Sequence, residues 1–199
     1  MQETDVGQSR KADAARRQLG TALFLWLNDL DPISVHALAT GGCEVANGLV
    51  KSVGKPFAAF ALEVHPDLTE GGLVKLRNVY WNALKHANHR DGHARDDEKL
   101  LATSLDAENE ARLCEGWFDL MQLMPAPIEA QVLTAWYLAK HGDPAELDNS
   151  IDELFPNLRL MSPIQQKSVL RGKIEEVRQL ADLMEDERTD RRPLILSAQ

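Results

Sequence analysis

Apolar residues in this chain recur at three- and four-residue intervals, and nowhere in a sustained alternation of two. Leu73, Leu76, Tyr80, Ala83, Leu84 and Ala87 place one apolar stripe on a helix of 3.6 residues per turn. Similar spacings return in Leu113, Trp117, Leu120 and Met124, and in Val132, Leu133, Trp136 and Tyr137. No hairpin dipeptide separates apolar runs. The pattern predicts an all-α fold, a single helical bundle of six or seven helices joined by short connections. Trp117, Trp136, Leu76, Tyr80 and Leu84 are its expected core.

Local signals place the helices. Helices are expected over 9–28, 32–53, 70–89, 106–123, 128–140, 145–154 and 162–187, with 57–64 unassigned and 90–105 a charged loop. Residues 1–8 read as a flexible tail, 9–187 as the helical domain and 188–199 as a C-terminal tail. Asp31-Pro32 is a sharp start: the carboxylate accepts from free N–H groups, and proline suits the first helical position because it has no N–H to leave unpaired. Asp106 is the expected cap of the helix over 106–123. Gly41-Gly42 interrupts the second helix, at about 1 kcal/mol per glycine relative to alanine. Close approach of a neighbouring helix, or a kink, would offset that cost.

Charge excludes several classes. The 199 residues carry a formal net charge of −9, which disfavours a nucleic-acid coat or a binder of anionic membranes. The charge is uneven. Residues 102–160 hold eleven acidic and three basic side chains, whereas 71–95 hold five basic (Lys75, Arg77, Lys85, Arg90, Arg95) and one acidic, Asp91. Pairing of the basic helix with the later acidic helices is the simplest expectation. Two cysteines, Cys43 and Cys114, do not make a disulfide framework and point to a reducing cytoplasm. The polar N-terminus has no apolar stretch of the kind a secretory signal needs, and the run 22–27 is too short to span a bilayer.

One polar stripe carries titratable groups. On a helix, Asn82, Lys85, His86 and His89 lie three and four residues apart, opposite the apolar face. Amide, ammonium and imidazole together suit an anionic or polar small ligand, or a proton in transfer. The same stripe is also what a solvated helix face looks like. His86, His89 and His93 admit a metal reading at i, i+3 and i+7, but Gly92 is expected to end the helix first, and Asp91 is the sole nearby acid. Neither a metal nor a cofactor is expected. Ser34 and His36, near the start of the second helix, do not share a face well enough for a nucleophile pair. They instead offer a small hydroxyl and an imidazole beside free backbone N–H groups, where an anion is favoured.

The two segments Asp31-Pro-Ile-Ser-Val-His-Ala-Leu-Ala and Asn82-Ala-Leu-Lys-His-Ala-Asn, in that order, resemble a family of small bacterial helical proteins. That family carries D-P-x-S-x-H-x-L-A and N-F-x-K-H-A-D-like segments. The resemblance covers residues 25–91 and implies Asp31, Pro32, Ser34, His36, Asn82, Lys85 and His86 as characteristic positions, without implying an activity. This chain departs from the pattern at Asn88, where the family has an acid. A looser resemblance is to the HEPN superfamily of helical bundles, many of them ribonucleases of bacterial defence. No Arg–His pair here has the spacing of their catalytic motif, and eight residues lie between Arg77 and His86.

Three function classes follow. A binding or interaction module, with a protein partner or a second copy of itself, fits the missing catalytic motifs. An enzyme or small-ligand-binding protein fits a polar site between the second and third helices, made of Ser34, His36, Asn82, Lys85, His86 and His89. A HEPN-like nucleic-acid-acting protein has only the basic helix in its favour.

Overall fold

The computed structural model describes residues 3–89, 91–143 and 149–197. Every regular element among them is helical, and their extended pairings are two isolated bridges, Asn88 with Ala94 and Ala126 with Thr189. The fold is all-α, with more helical segments than the six or seven expected. None of the described helices is long and apolar enough to cross a membrane. The chain divides into two compact units, Met1–Leu123 and Met124–Gln199.

The first unit holds α1 (Glu3–Leu27), α2 (Pro32–Val50), α3 (Phe57–Val64), α4 (Glu70–Lys85), α5 (Glu98–Leu101) and α6 (Asp106–Met121). The first helix begins at Glu3, so most of the expected N-terminal tail is helical. Asp29, with φ at +52°, ends α1. Asp31 then opens α2 by accepting from the N–H groups of Ile33 (3.3 Å) and Ser34 (3.0 Å), with Pro32 in the first turn.

Helices α1, α2 and α6 form the core of this unit. From α1 come Ala15, Leu19, Ala22, Leu23 and Trp26; from α2 come Val35, Ala39, Cys43, Ala46 and Val50; from α6 come Leu113, Cys114, Trp117 and Leu120. Despite Gly41-Gly42, α2 runs without a break, and close approach is the compensation. A Cβ at Gly42 would lie 2.7 Å from Leu19 Cγ and 3.2 Å from the Ala15 carbonyl oxygen. One at Gly116 would lie 2.6 Å from Leu19 Cδ2. Leu19 thus fills the space that two glycines on two other helices leave open. Asp106 does not cap α6 as expected; the N-cap is Leu105, and Asp106 Oδ1 accepts from Trp26 Nε1 (2.9 Å), tying α6 to α1.

Helix α4 lies outside this core. It packs on α2, but none of its residues is buried, and it stops at Lys85 rather than His89. Of the expected core, Trp117 and Trp136 are fully buried, Tyr80 and Leu84 are half-buried, and Leu76 is 61% exposed. The α4 side chains that meet α2 and α6 are Arg77, on Cys43 and Glu115, and Tyr80, on His36. Helix α3 docks through Phe57 and Phe60, whose rings each meet Phe118 edge-on at 5.4 Å.

The second unit holds α7 (Ile128–His141), α8 (Asn149–Leu154), a 3₁₀ turn (Leu158–Leu160), α9 (Pro163–Val177) and α10 (Ala181–Glu185). The start of the helix expected over 145–154 falls partly outside the described residues. The helix expected over 162–187 is two helices, broken after Val177. Trp136, Leu133, Leu158, Leu170 and Ile174 form this core, and Trp136 Nε1 donates to the Gln166 carbonyl (3.0 Å). The expected C-terminal tail is packed in part. The Ala126 N–H donates to Arg188 O (3.0 Å), Asp190 N–H donates to Ala126 O (2.9 Å), and Leu194 is buried.

The two adjacent glycines of α2 separate packing from propensity. Gly42→Ala overpacks the Leu19 contact and lowers unfolding free energy by about 1–3 kcal/mol. Gly41→Ala meets only the flexible Gln18 side chain, at 3.4 Å, and holds or raises stability by up to about 1 kcal/mol. Urea unfolding of the two variants beside the wild type measures both.

Candidate functional site

Helices α2 and α6 run parallel and meet through a ladder of polar side chains. On α2 the rungs are His36, Thr40, Cys43 and Asn47, at intervals of four, three and four. On α6 they are Asn109, Arg112, Glu115 and Asp119, at three, three and four. These spacings keep each set on one helix face. His36 pairs with Asn109 at one end, and Asn47 with Asp119 at the other.

The His36 end has a defined tautomer. Asn109 Nδ2 donates to the Pro32 carbonyl (2.9 Å), so Asn109 Oδ1 is the atom 3.0 Å from His36 Nδ1. Nδ1 therefore carries the proton, and Nε2 presents a lone pair with no hydrogen-bond partner. The ring is only 1% exposed and meets Tyr80 of α4 edge-on, with centroids 6.0 Å apart. Burial holds its pKa below the usual value, and Arg112 adds to that; the Asn109 contact opposes it.

In the middle, two guanidiniums share one carboxylate. Arg112 Nη1 donates to Glu115 Oε2 (2.6 Å), and Arg77 of α4 pairs with Glu115 Oε1. Arg77 Nη2 also lies 3.6 Å from Cys43 Sγ. This is the pairing of basic helix with acidic later helix that the charge distribution suggests. Burial lowers the Arg112 pKa and pushes the Cys43 thiol up to about 11, so Cys43 is a protonated, inert thiol near neutral pH.

At the far end, Asp119 accepts from Asn47 Nδ2 (3.2 Å) and from the Phe57 N–H (2.6 Å), so a carboxylate of α6 caps α3. Burial raises its pKa despite those bonds.

Helix α4 covers the ladder incompletely. Thr40, Cys43, Glu44, Asn47, Val74, Arg77, Asn78 and Arg112 line a cavity of about 180 Å³. Two polar atoms of the lining residues are buried without a hydrogen-bond partner: the hydroxyl of Thr40, 3% exposed, and Nε of Arg112, 8% exposed. A second, more open cavity of about 420 Å³ lies between α4 and the α5 region, lined by Gly71, Val74, Lys75, Asn78, Val79, Asn82, Arg95, Asp97 and Leu100.

The residues singled out from the sequence are dispersed. Ser34 donates its hydroxyl to the Asp31 carboxylate and stabilises the helix start. His36 is a rung of the ladder. Asn82 lines the second cavity. Lys85 is exposed, with Nζ over the Trp81 ring at 5.2 Å. His86 is the exposed C-cap of α4, in an extended conformation, and His89 follows in a turn where its N–H donates to His93 O (2.7 Å). The helix ends before the stripe does, so three imidazoles on one helical side are not formed. Among the described residues no group of three or more His, Cys, Asp or Glu converges as a metal site would need. Of those sequence candidates, none but His36 is a rung of the ladder.

Comparison with protein-family models, with curated proteins and with solved structures returns no match.

The buried neutral His36 gives a pH signature. Its folded pKa lies below the unfolded value near 6.5, so its stabilising contribution is present above pH 6.5 and is lost as pH falls through that window. Asp119, with its pKa raised, acts oppositely as pH rises from 3.8. Subtracting the stability-against-pH curve of His36→Gln from that of the wild type isolates the first effect. The difference is expected to shrink as pH drops below about 6.5.

Proposed function

We propose that this protein is a small-ligand-binding module whose site is the cavity between α2, α4 and α6, and that its ligand presents an anionic group, a carboxylate or a phosphoryl. The observation that carries this is the pair of unpartnered buried donors, Thr40 Oγ1 and Arg112 Nε, on residues lining one cavity. A buried polar group without a partner costs about 1–3 kcal/mol, and an anion accepting from both would remove two such costs at once.

The charges support the same reading. Arg77 and Arg112 share Glu115, which leaves that triad one positive charge in excess. Asp119 already serves Asn47 and Phe57. Glu108 acts on Arg112 from further along α6, and Glu44 stands exposed at the cavity mouth. A volume of about 180 Å³ holds roughly six water-sized groups, which suits a small metabolite.

Thr40→Val is the decisive variant, because it keeps the side-chain shape and deletes the orphan hydroxyl. The unliganded variant is expected to be as stable as wild type or more stable, by about 1 kcal/mol. Wild type is expected to melt higher with millimolar propionate or inorganic phosphate, and the variant to lose most of that shift. The two probes separate a carboxylate from a phosphoryl site. No shift in wild type with either, or equal shifts in both proteins, would sink the reading.

A further inference from the structure

The cavity has a second charged wall, and it is of opposite sign. Glu44 lies one helical turn beyond Thr40 on α2 and lines the same cavity. A ligand carrying only negative charge meets donors at the Thr40 end and repulsion at the Glu44 end. The groups beside Glu44 extend that acceptor character. Asn47 has committed its nitrogen to Asp119, which leaves its side-chain oxygen as an acceptor, and Asn78 brings a further amide from α4. Val74 supplies an apolar wall.

Spacing sets the size of a molecule that satisfies both ends. Residues i and i+4 hold their Cβ atoms roughly 5–6 Å apart on a helix face. Donors and acceptors one helical turn apart, around a cavity of about 180 Å³, suit a small molecule that carries its carboxylate and its amine close together. Val74 and Asn78 also line the second cavity, so a side chain leaving such a molecule past Val74 enters a space already open.

We infer that the ligand is a small amino-acid zwitterion, its carboxylate on Arg112 and Thr40 and its ammonium on Glu44 and Asn47. This rests on the anion-site reading and adds the identity of the other end. It also gives Glu44, an exposed residue otherwise without a role, the function of selecting amines.

Isothermal titration of the full chain tests it with matched frames: L-alanine against propionate, L-leucine against 4-methylpentanoate, and ethylamine as the amine alone. At least one amino acid is expected to bind more tightly than its amine-free acid by roughly fivefold, as for a half-exposed ion pair. Ethylamine is expected not to bind. In Glu44→Gln, on the protein surface and so harmless to folding, the amino acid is expected to fall to the affinity of the plain acid. The plain acid is expected to bind as before or better. Equal binding of amino acids and plain acids by wild type overturns the zwitterion while leaving the anion site intact. Binding of none of them overturns both.

Discussion

Leu19 can occupy its position only because two other helices give up a side chain there. Gly42 on α2 and Gly116 on α6 both face it, and a Cβ at either would overlap its branched end. The insertion draws α1, α2 and α6 together more closely than ordinary side chains permit, and it puts the backbones of α2 and α6 near each other; a Cβ on Gly116 would sit 3.3 Å from Cys43 Cα. At that separation short polar residues reach across. His36 meets Asn109 and Asn47 meets Asp119, each directly. The glycines therefore do more than fill a packing role: without them the polar ladder has no span it can bridge.

A ladder of polar groups in a helix interface is expensive unless each rung is satisfied. The outer rungs are paired across the interface, with His36 Nε2 alone left over: Asn109 serves both Pro32 and His36, and Asp119 serves both Asn47 and Phe57. They also fix the parallel register of α2 against α6, since a slip of one turn would leave all four unpaired. The middle is different. Glu115 binds two guanidiniums, one of them delivered by α4, and the Thr40 hydroxyl and Arg112 Nε are left without partners beside a cavity. Structural economy would have closed that gap with apolar residues. Polar groups kept unsatisfied around an open volume are what a ligand site requires.

Helix α4 shows how the same residues read differently in sequence and in space. Its apolar stripe is real, yet Leu76 is exposed and Tyr80 only half-buried, and what α4 brings to the polar ladder is Arg77 and the Tyr80 ring. Its polar stripe breaks at Lys85, where the backbone leaves the helix and separates His86 and His89 from Asn82. Periodicity assumes a continuing helix, and it carries no information on where a helix stops once capping residues are absent. The ladder itself left a trace in the sequence: polar residues at heptad-like intervals in α2 and α6. That trace is indistinguishable from a solvated face until the two helices are known to be neighbours.

Short-range chemistry is what the sequence determined alone. Three- and four-residue apolar spacing required helices, Asp31 and Pro32 required one to begin at that point, and the tryptophans of α6 and α7 required burial, because each depends on atoms within a few residues or on apolar bulk. The cavity was decided only by tertiary structure. Its lining comes from α2, α4 and α6, segments up to some seventy residues apart in the chain. Whether Thr40 and Arg112 are solvated or stranded depends on which helices cover them. Burial and hydrogen-bond satisfaction are properties of neighbours in space, and spacing along one helix does not encode them.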